Sequence, residues 1–146
     1  MNSFKMMIFL CFVYLKMKYE YASGSFYEGD MVDGEFHGKG IFYFSNGDKY
    51  EGEFVDDMFH GFGEYTYKSG SVYRGYFSRD MFHGIGTFSF EDGAIEKGKF
   101  HQDKRVGKFC HIDDSKYYWI IYDRDKVMKC DATDISSVSD EKNPMK

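Results

Sequence analysis

The chain has 146 residues, a formal net charge of −5 and 21% aromatic side chains, a size that suits one compact domain or one short repeat array. The acidic balance argues against nucleic-acid binding, because neutralising phosphates takes clustered Lys and Arg in excess. With 16 Phe, 13 Tyr and 16 Gly against one Pro, and leucine confined to Leu10 and Leu15, the composition favours strands joined by tight turns over a helical bundle.

At the start of the chain, Lys5 precedes an apolar run over residues 6–15. The run has signal-peptide length and is too short to span a bilayer. No small-residue cleavage site follows closely, and Ala22 and Gly24 fall inside the first repeat-like unit. Residues 1–18 therefore read as an apolar leader, or as sequence ahead of a start at Met17, and secretion is the less favoured reading.

From residue 19 the chain aligns with itself at a period of 23. Tyr27-Glu28-Gly29 returns as Tyr50-Glu51-Gly52, Tyr73-Arg74-Gly75 and, degraded, Glu96-Lys97-Gly98. Phe36-His37-Gly38 returns as Phe59-His60-Gly61 and Phe82-His83-Gly84, and Gly24, Gly47, Gly70 and Gly93 close each unit. A fixed period of this size marks a stack of supersecondary units. The period-two alternation of Tyr50, Gly52 and Phe54 predicts one strand, and that of Gly63, Tyr65 and Tyr67 a returning one. Asp56 to Gly61 reads as a longer turn between them, and Lys68-Ser69-Gly70-Ser71 as the tight turn to the next unit, with Gly70 at positive φ. The expected fold is all-β: an elongated, twisted antiparallel meander of tandem hairpins. Its expected organisation is a partial copy over 19–26, full copies over 27–49, 50–72 and 73–95, a degraded copy over 96–109, a strand-like cap over 110–130 and a disordered tail over 131–146. Terminal units that abandon a consensus commonly act as caps.

The pattern YEGEF…FHGFGEYTY…SG resembles the MORN repeat, over residues 27 to about 109 of this chain. The resemblance implies the hairpin meander and a non-enzymatic interaction module. It also implies a setting among small proteins of cilia, sperm flagella and phagosomes, hence a cytoplasmic location.

Chemistry-bearing candidates weigh against catalysis. His37, His60 and His83 recur one hairpin apart, roughly 10 Å, whereas two ligands of one zinc ion lie about 4 Å apart at most, so no metal is expected. Gly61-Phe62-Gly63 is followed by a strand and not by the helix N-terminus that a phosphate loop needs, so no cofactor is expected. Cys11, Cys110 and Cys130 are sparse and odd in number with no CxxC, which suggests a reducing compartment.

The aromatic positions remain. Tyr27, Phe42, Phe44, Tyr50, Phe54, Tyr65, Tyr67, Tyr73, Phe77, Phe88 and Phe90 alternate onto one face of the expected sheet. A single sheet has no second layer to cover them, so this face is the candidate groove for a protein partner, either an amphipathic helix or an extended peptide. A homodimer through the same face is the self-packing alternative. Net charge along the copies runs −3, −4, −1 and then +3 over residues 96–109. Lys97, Lys99, Lys104, Arg105 and Lys108 form that basic end, a candidate contact for anionic phospholipid or an acidic partner.

Overall fold

The computed structural model describes residues 17–114 and 116–134, and among them every regular element is a strand. Expectations for the leader before Met17 and for the tail after Asp134 fall outside these residues. The strands are β1 (Met17–Glu20), β2 (Phe26–Val32), β3 (Glu35–Tyr43), β4 (Lys49–Val55), β5 (Met58–Thr66), β6 (Val72–Ser78), β7 (Met81–Ser89), β8 (Ile95–His101), β9 (Lys104–Asp113), β10 (Lys116–Asp123) and β11 (Lys126–Asp134). They pair in sequence order into one open antiparallel sheet. The meander is the one the repeat predicts, because each short connection returns the chain beside the strand it has just left.

Two kinds of connection alternate. Within a repeat the turn has only two residues, Asp56-Asp57 between β4 and β5 and Arg79-Asp80 between β6 and β7, and all four have φ between 50° and 65°. Two successive positive φ values give a turn whose twist matches that of the flanking strands. The longer turn expected from Asp56 to Gly61 is thus corrected. Met58 to His60 already pair with β4, and the two surplus residues, Gly61 and Phe62, are absorbed where the register shifts between Gly52 and Glu53, with Gly61 at φ 56°. Between repeats, five-residue loops close on a glycine. Gly70 N–H donates to Tyr67 O at 2.9 Å, and Tyr67 N–H to Ser71 O at 2.9 Å.

The core is built on one face of the sheet, the ring face. Gly29, Gly40, Gly52, Gly63, Gly75, Gly86 and Gly98 stand opposite one another across β2 to β8. Their missing side chains leave a furrow, and the rings of Tyr27, Tyr50 and Tyr73 lie down in it, each 0% exposed. A methyl group on Gly75 would sit 2.6 Å from the Gly86 Cα and 2.6 Å from the Tyr73 hydroxyl. Each tyrosine is then roofed by a phenylalanine of its own repeat. Tyr27–Phe36, Tyr50–Phe59 and Tyr73–Phe82 stack at 3.8 Å between centroids. The next repeat supplies an edge, in Tyr27–Phe54 at 4.9 Å, Tyr50–Phe77 at 4.9 Å and Tyr73–Phe100 at 5.2 Å. Such pairs add about 1 kcal/mol each beyond the apolar area they bury. Phenolic hydrogen bonds to the carbonyls of Asp30 (2.7 Å), Glu53 (2.9 Å) and Tyr76 (3.1 Å) satisfy the buried hydroxyls.

The degraded copy conserves this packing by an exchange. Glu96 takes the tyrosine position and Phe109 the glycine position opposite Gly98, so the Phe109 ring, 0% exposed, covers Gly98 from the neighbouring strand. The sheet does not end there. β9 runs on to Asp113, and β10 and β11 pair across the Arg124-Asp125 turn. β11 also takes in residues 131–134, the first part of the expected tail.

Candidate functional site

The eleven aromatic candidates divide into two sets. Tyr27, Tyr50, Phe54, Tyr73 and Phe77 are between 0% and 3% exposed. As a contact surface these five are corrected: the tyrosines lie between the glycine furrow and Phe36, Phe59 or Phe82, and Phe54 and Phe77 are packed edge-on against the tyrosines, which leaves them nothing to offer a partner. The other six, Phe42, Phe44, Tyr65, Tyr67, Phe88 and Phe90, are half-buried. They form an unbroken ribbon across the sheet at the loop ends of the strands. Centroid separations are 4.7 Å for Phe42–Phe44, 5.6 Å for Phe44–Tyr65, 4.7 Å for Tyr65–Tyr67, 5.8 Å for Tyr67–Phe88 and 4.7 Å for Phe88–Phe90. Tyr21 extends the ribbon at one end, 5.9 Å from Phe42, and His111 at the other, 6.4 Å from Phe90.

The loops hold this ribbon in place. One ring of each pair stands on a strand and the other on the first residue of the loop that Gly47, Gly70 or Gly93 closes with φ between 92° and 100°. Asp48, which sequence reasoning passed over, braces the middle. Its carboxylate accepts from the Tyr65 hydroxyl at 2.9 Å and from the Lys68 backbone N–H at 2.8 Å. The Lys68 amide holds the Asp48 carboxyl below its ordinary range, while burial, then the Asp48 hydrogen bond, pushes the Tyr65 phenol up. The Asn46-Gly47-Asp48 sequence, a side-chain-bonded turn, was the available signal for this role.

The basic candidates divide as well. Lys97 and Lys99 alternate onto the face opposite the rings with Lys108, whose ammonium lies 3.8 Å over the Trp119 ring. Lys104 belongs to the β8–β9 turn end. Arg105 is corrected as a lipid contact, because it stands on the ring face and is consumed there. Its Nε donates to Glu96 Oε2 at 2.6 Å, and its Nη1 lies 3.5 Å from Asp125 Oδ1. Glu96 is 5% exposed, and its other oxygen accepts from the Tyr122 hydroxyl at 3.2 Å and faces His111 Nδ1 at 3.2 Å. Both of its oxygens have partners, so this buried carboxylate caps the ring stack. On the opposite face a shallow open trough of about 470 Å³ is lined by Lys39, Ile41, Glu51, Glu53, Phe62, Glu64 and Arg74. No catalytic constellation of nucleophile, base and orienting group occurs among the described residues.

Fold and site together define an open tandem-hairpin repeat protein that displays an aromatic ribbon on one face. Residues 27–49, 50–72 and 73–95 each match the MORN repeat, so that the chain carries three consecutive MORN copies. No curated protein matches it. MORN repeats are generally modules of protein or membrane interaction, and this family and fold are typical of non-enzymatic modules. Among the described residues no helix is long and apolar enough to cross a membrane.

Proposed function

We propose that the chain is a scaffold or adaptor module that binds the apolar stripe of an amphipathic helix along the ribbon of Phe42, Phe44, Tyr65, Tyr67, Phe88 and Phe90. The observation that carries this reading is the continuity of half-buried rings on a face that no described element covers, since every described element belongs to the one sheet. Spacing favours a helix over an extended peptide. Each repeat advances the ribbon by two strands, about 9.6 Å, and seven helical residues rise about 10.5 Å. One heptad therefore matches one repeat. An extended segment would advance about three residues per repeat, an odd number that turns its side chains to alternate faces. The setting implied by the family resemblance is the cytoplasm of a cilium or flagellum. The anionic-lipid alternative has less support once Arg105 is committed to Glu96.

The test compares capture by wild type with capture by the Tyr67→Ala, Phe88→Ala double variant, both checked for fold by circular dichroism. Recovery of the principal partner should fall at least about tenfold, the equivalent of about 1.4 kcal/mol. Equal recovery by two folded proteins overturns the reading.

A further inference from the structure

The face opposite the rings carries three well-exposed apolar side chains in adjacent positions at the middle of the array. Phe62, Tyr76 and Ile85 are 49%, 52% and 54% exposed. Phe62 on β5 pairs with Tyr76 on β6, their rings 5.7 Å apart. Over β4 to β8 the acidic side chains of this face lie mainly to one side of them and the basic ones to the other. Toward the N-terminal side the cross-strand rows present Glu51 and Glu53 on β4 and Glu64 on β5, Glu51 being ion-paired with Lys49 of its own strand at 3.1 Å and Glu53 standing opposite Lys39 of β3. Toward the C-terminal side they present Arg74 on β6 and Lys97 and Lys99 on β8. The sign changes between Glu64 and Arg74, which are ion-paired across β5 and β6.

We propose that this face pairs with the same face of a second copy, about a two-fold axis running along β6. Such an axis reverses strand order and keeps each residue's position along the strand. β8 of one copy then lies over β4 of the other, and β7 over β5. Lys99 meets Glu53 of the second copy, and Lys97 meets Glu51. Ile85 meets Phe62, and each of these contacts occurs twice, as a two-fold interface requires, while Tyr76 meets its own counterpart once at the axis. Arg74 also meets its counterpart at the axis, and there Glu64 neutralises it, accepting from its Nε at 2.8 Å. A single copy rotated in this way sets Glu53 against Lys99 and an apolar side chain against each exposed apolar one, which is what selects a second copy as the occupant.

Sheet twist confines the contact to β4 through β8, because faces of like twist diverge away from their crossing point. Five strands about 4.8 Å apart and about 23 Å long bury about 1,100 Å² in total, at the low end for specific interfaces. The dimer is accordingly weak, and it weakens further with salt. The ring faces point outward in this arrangement, so it is separable from the partner reading above.

Sedimentation of the full chain over a concentration series tests the pairing. Wild type should pass from monomer to dimer. Lys99→Glu and Glu53→Lys should each weaken the dimer at least about tenfold, and the double exchange should restore it to within about threefold, since it only reverses the sense of the pair. Tyr76→Glu should abolish it. A chain that stays monomeric up to about 100 μM overturns the proposal; if that monomer pellets with phosphatidylserine vesicles in a Lys99-dependent way, the face belongs to a membrane. Association unaffected by either charge reversal, or not rescued by the double exchange, also overturns it.

Discussion

Tyr27, Tyr50 and Tyr73 carry more of this protein than any other side chains. A phenol that lies flat over paired glycines, with its hydroxyl on a backbone carbonyl, is stable only while neutral. Burial pushes the Tyr27 phenol up to about 12, and it pushes Tyr50 and Tyr73 upward as well. In the unfolded chain each ionises near its ordinary value of about 10. The stabilisation from these raised values is therefore complete below about pH 10 and is lost as pH climbs toward the folded values, at up to about 1.4 kcal/mol per pH unit for each phenol. Thermal midpoints should hold level to about pH 9.5 and then drop steeply. Tyr50→Phe should start from a lower midpoint, for want of the hydrogen bond to Glu53, and show a shallower alkaline slope. An unchanged slope would mean that Tyr50 does not stay neutral in the folded chain.

At the scale of the element, the turn aspartates bind one hairpin to the next. Asp80 sits at φ 65°; its carboxylate accepts from Phe59 N–H at 2.8 Å, and its own N–H donates to Phe59 O at 3.2 Å, as those of Asp57 and Asp103 do to Phe36 O and Phe82 O. Asp57, Asp103 and Asp125 accept in the same way from Phe36, Phe82 and Arg105. Each clamp fixes the start of one hairpin against the turn of the following one, and so holds Phe59 and its equivalents over the tyrosines. Asp80→Ala loses a hydrogen bond and puts a Cβ residue without a polar side chain into the left-handed region, together about 2 kcal/mol. Asp80→Asn keeps an acceptor and tolerates that backbone, and should recover all but about 0.5 kcal/mol. Denaturant midpoints of the two variants decide the matter, and equal losses would show that the side-chain acceptor is not what holds the turn.

Across the molecule, among the described residues, each hairpin pairs with its neighbours in the sheet, and the ring stack runs on from one repeat to the next. Stability in such an array is a sum of unit and interface contributions, and end units have one interface fewer. β1 is exposed along its whole length, and β11 presents Val127 and Met128 at 54% and 58% exposure. Amide exchange should be slowest in β4 through β7 and progressively faster toward β1 and β11. Uniform protection across all the described strands would instead indicate one cooperative unit.

Much of this architecture was legible along the chain. The 23-residue period, the two strands per unit and the loop glycines are carried by residues one, two or 23 positions apart, and physics at that range needs no fold to be read. Which rings are buried was not legible, because Tyr50 and Tyr65 alternate onto the same face and differ only in what other strands bring to them. Tyr50 receives Phe59 from across its own hairpin and Phe77 from the next repeat; Tyr65 receives the Asp48 carboxylate and solvent. Likewise nothing local to Arg105 announces that Glu96 takes it out of the basic cluster, or that Phe109 fills the place a tyrosine vacated. The sequence by itself determined the meander and its repeat, since hairpins close through local turns. Only the tertiary structure decided which aromatic side chains are core and which are surface, since burial depends on what the returning strand and the next repeat bring over each ring.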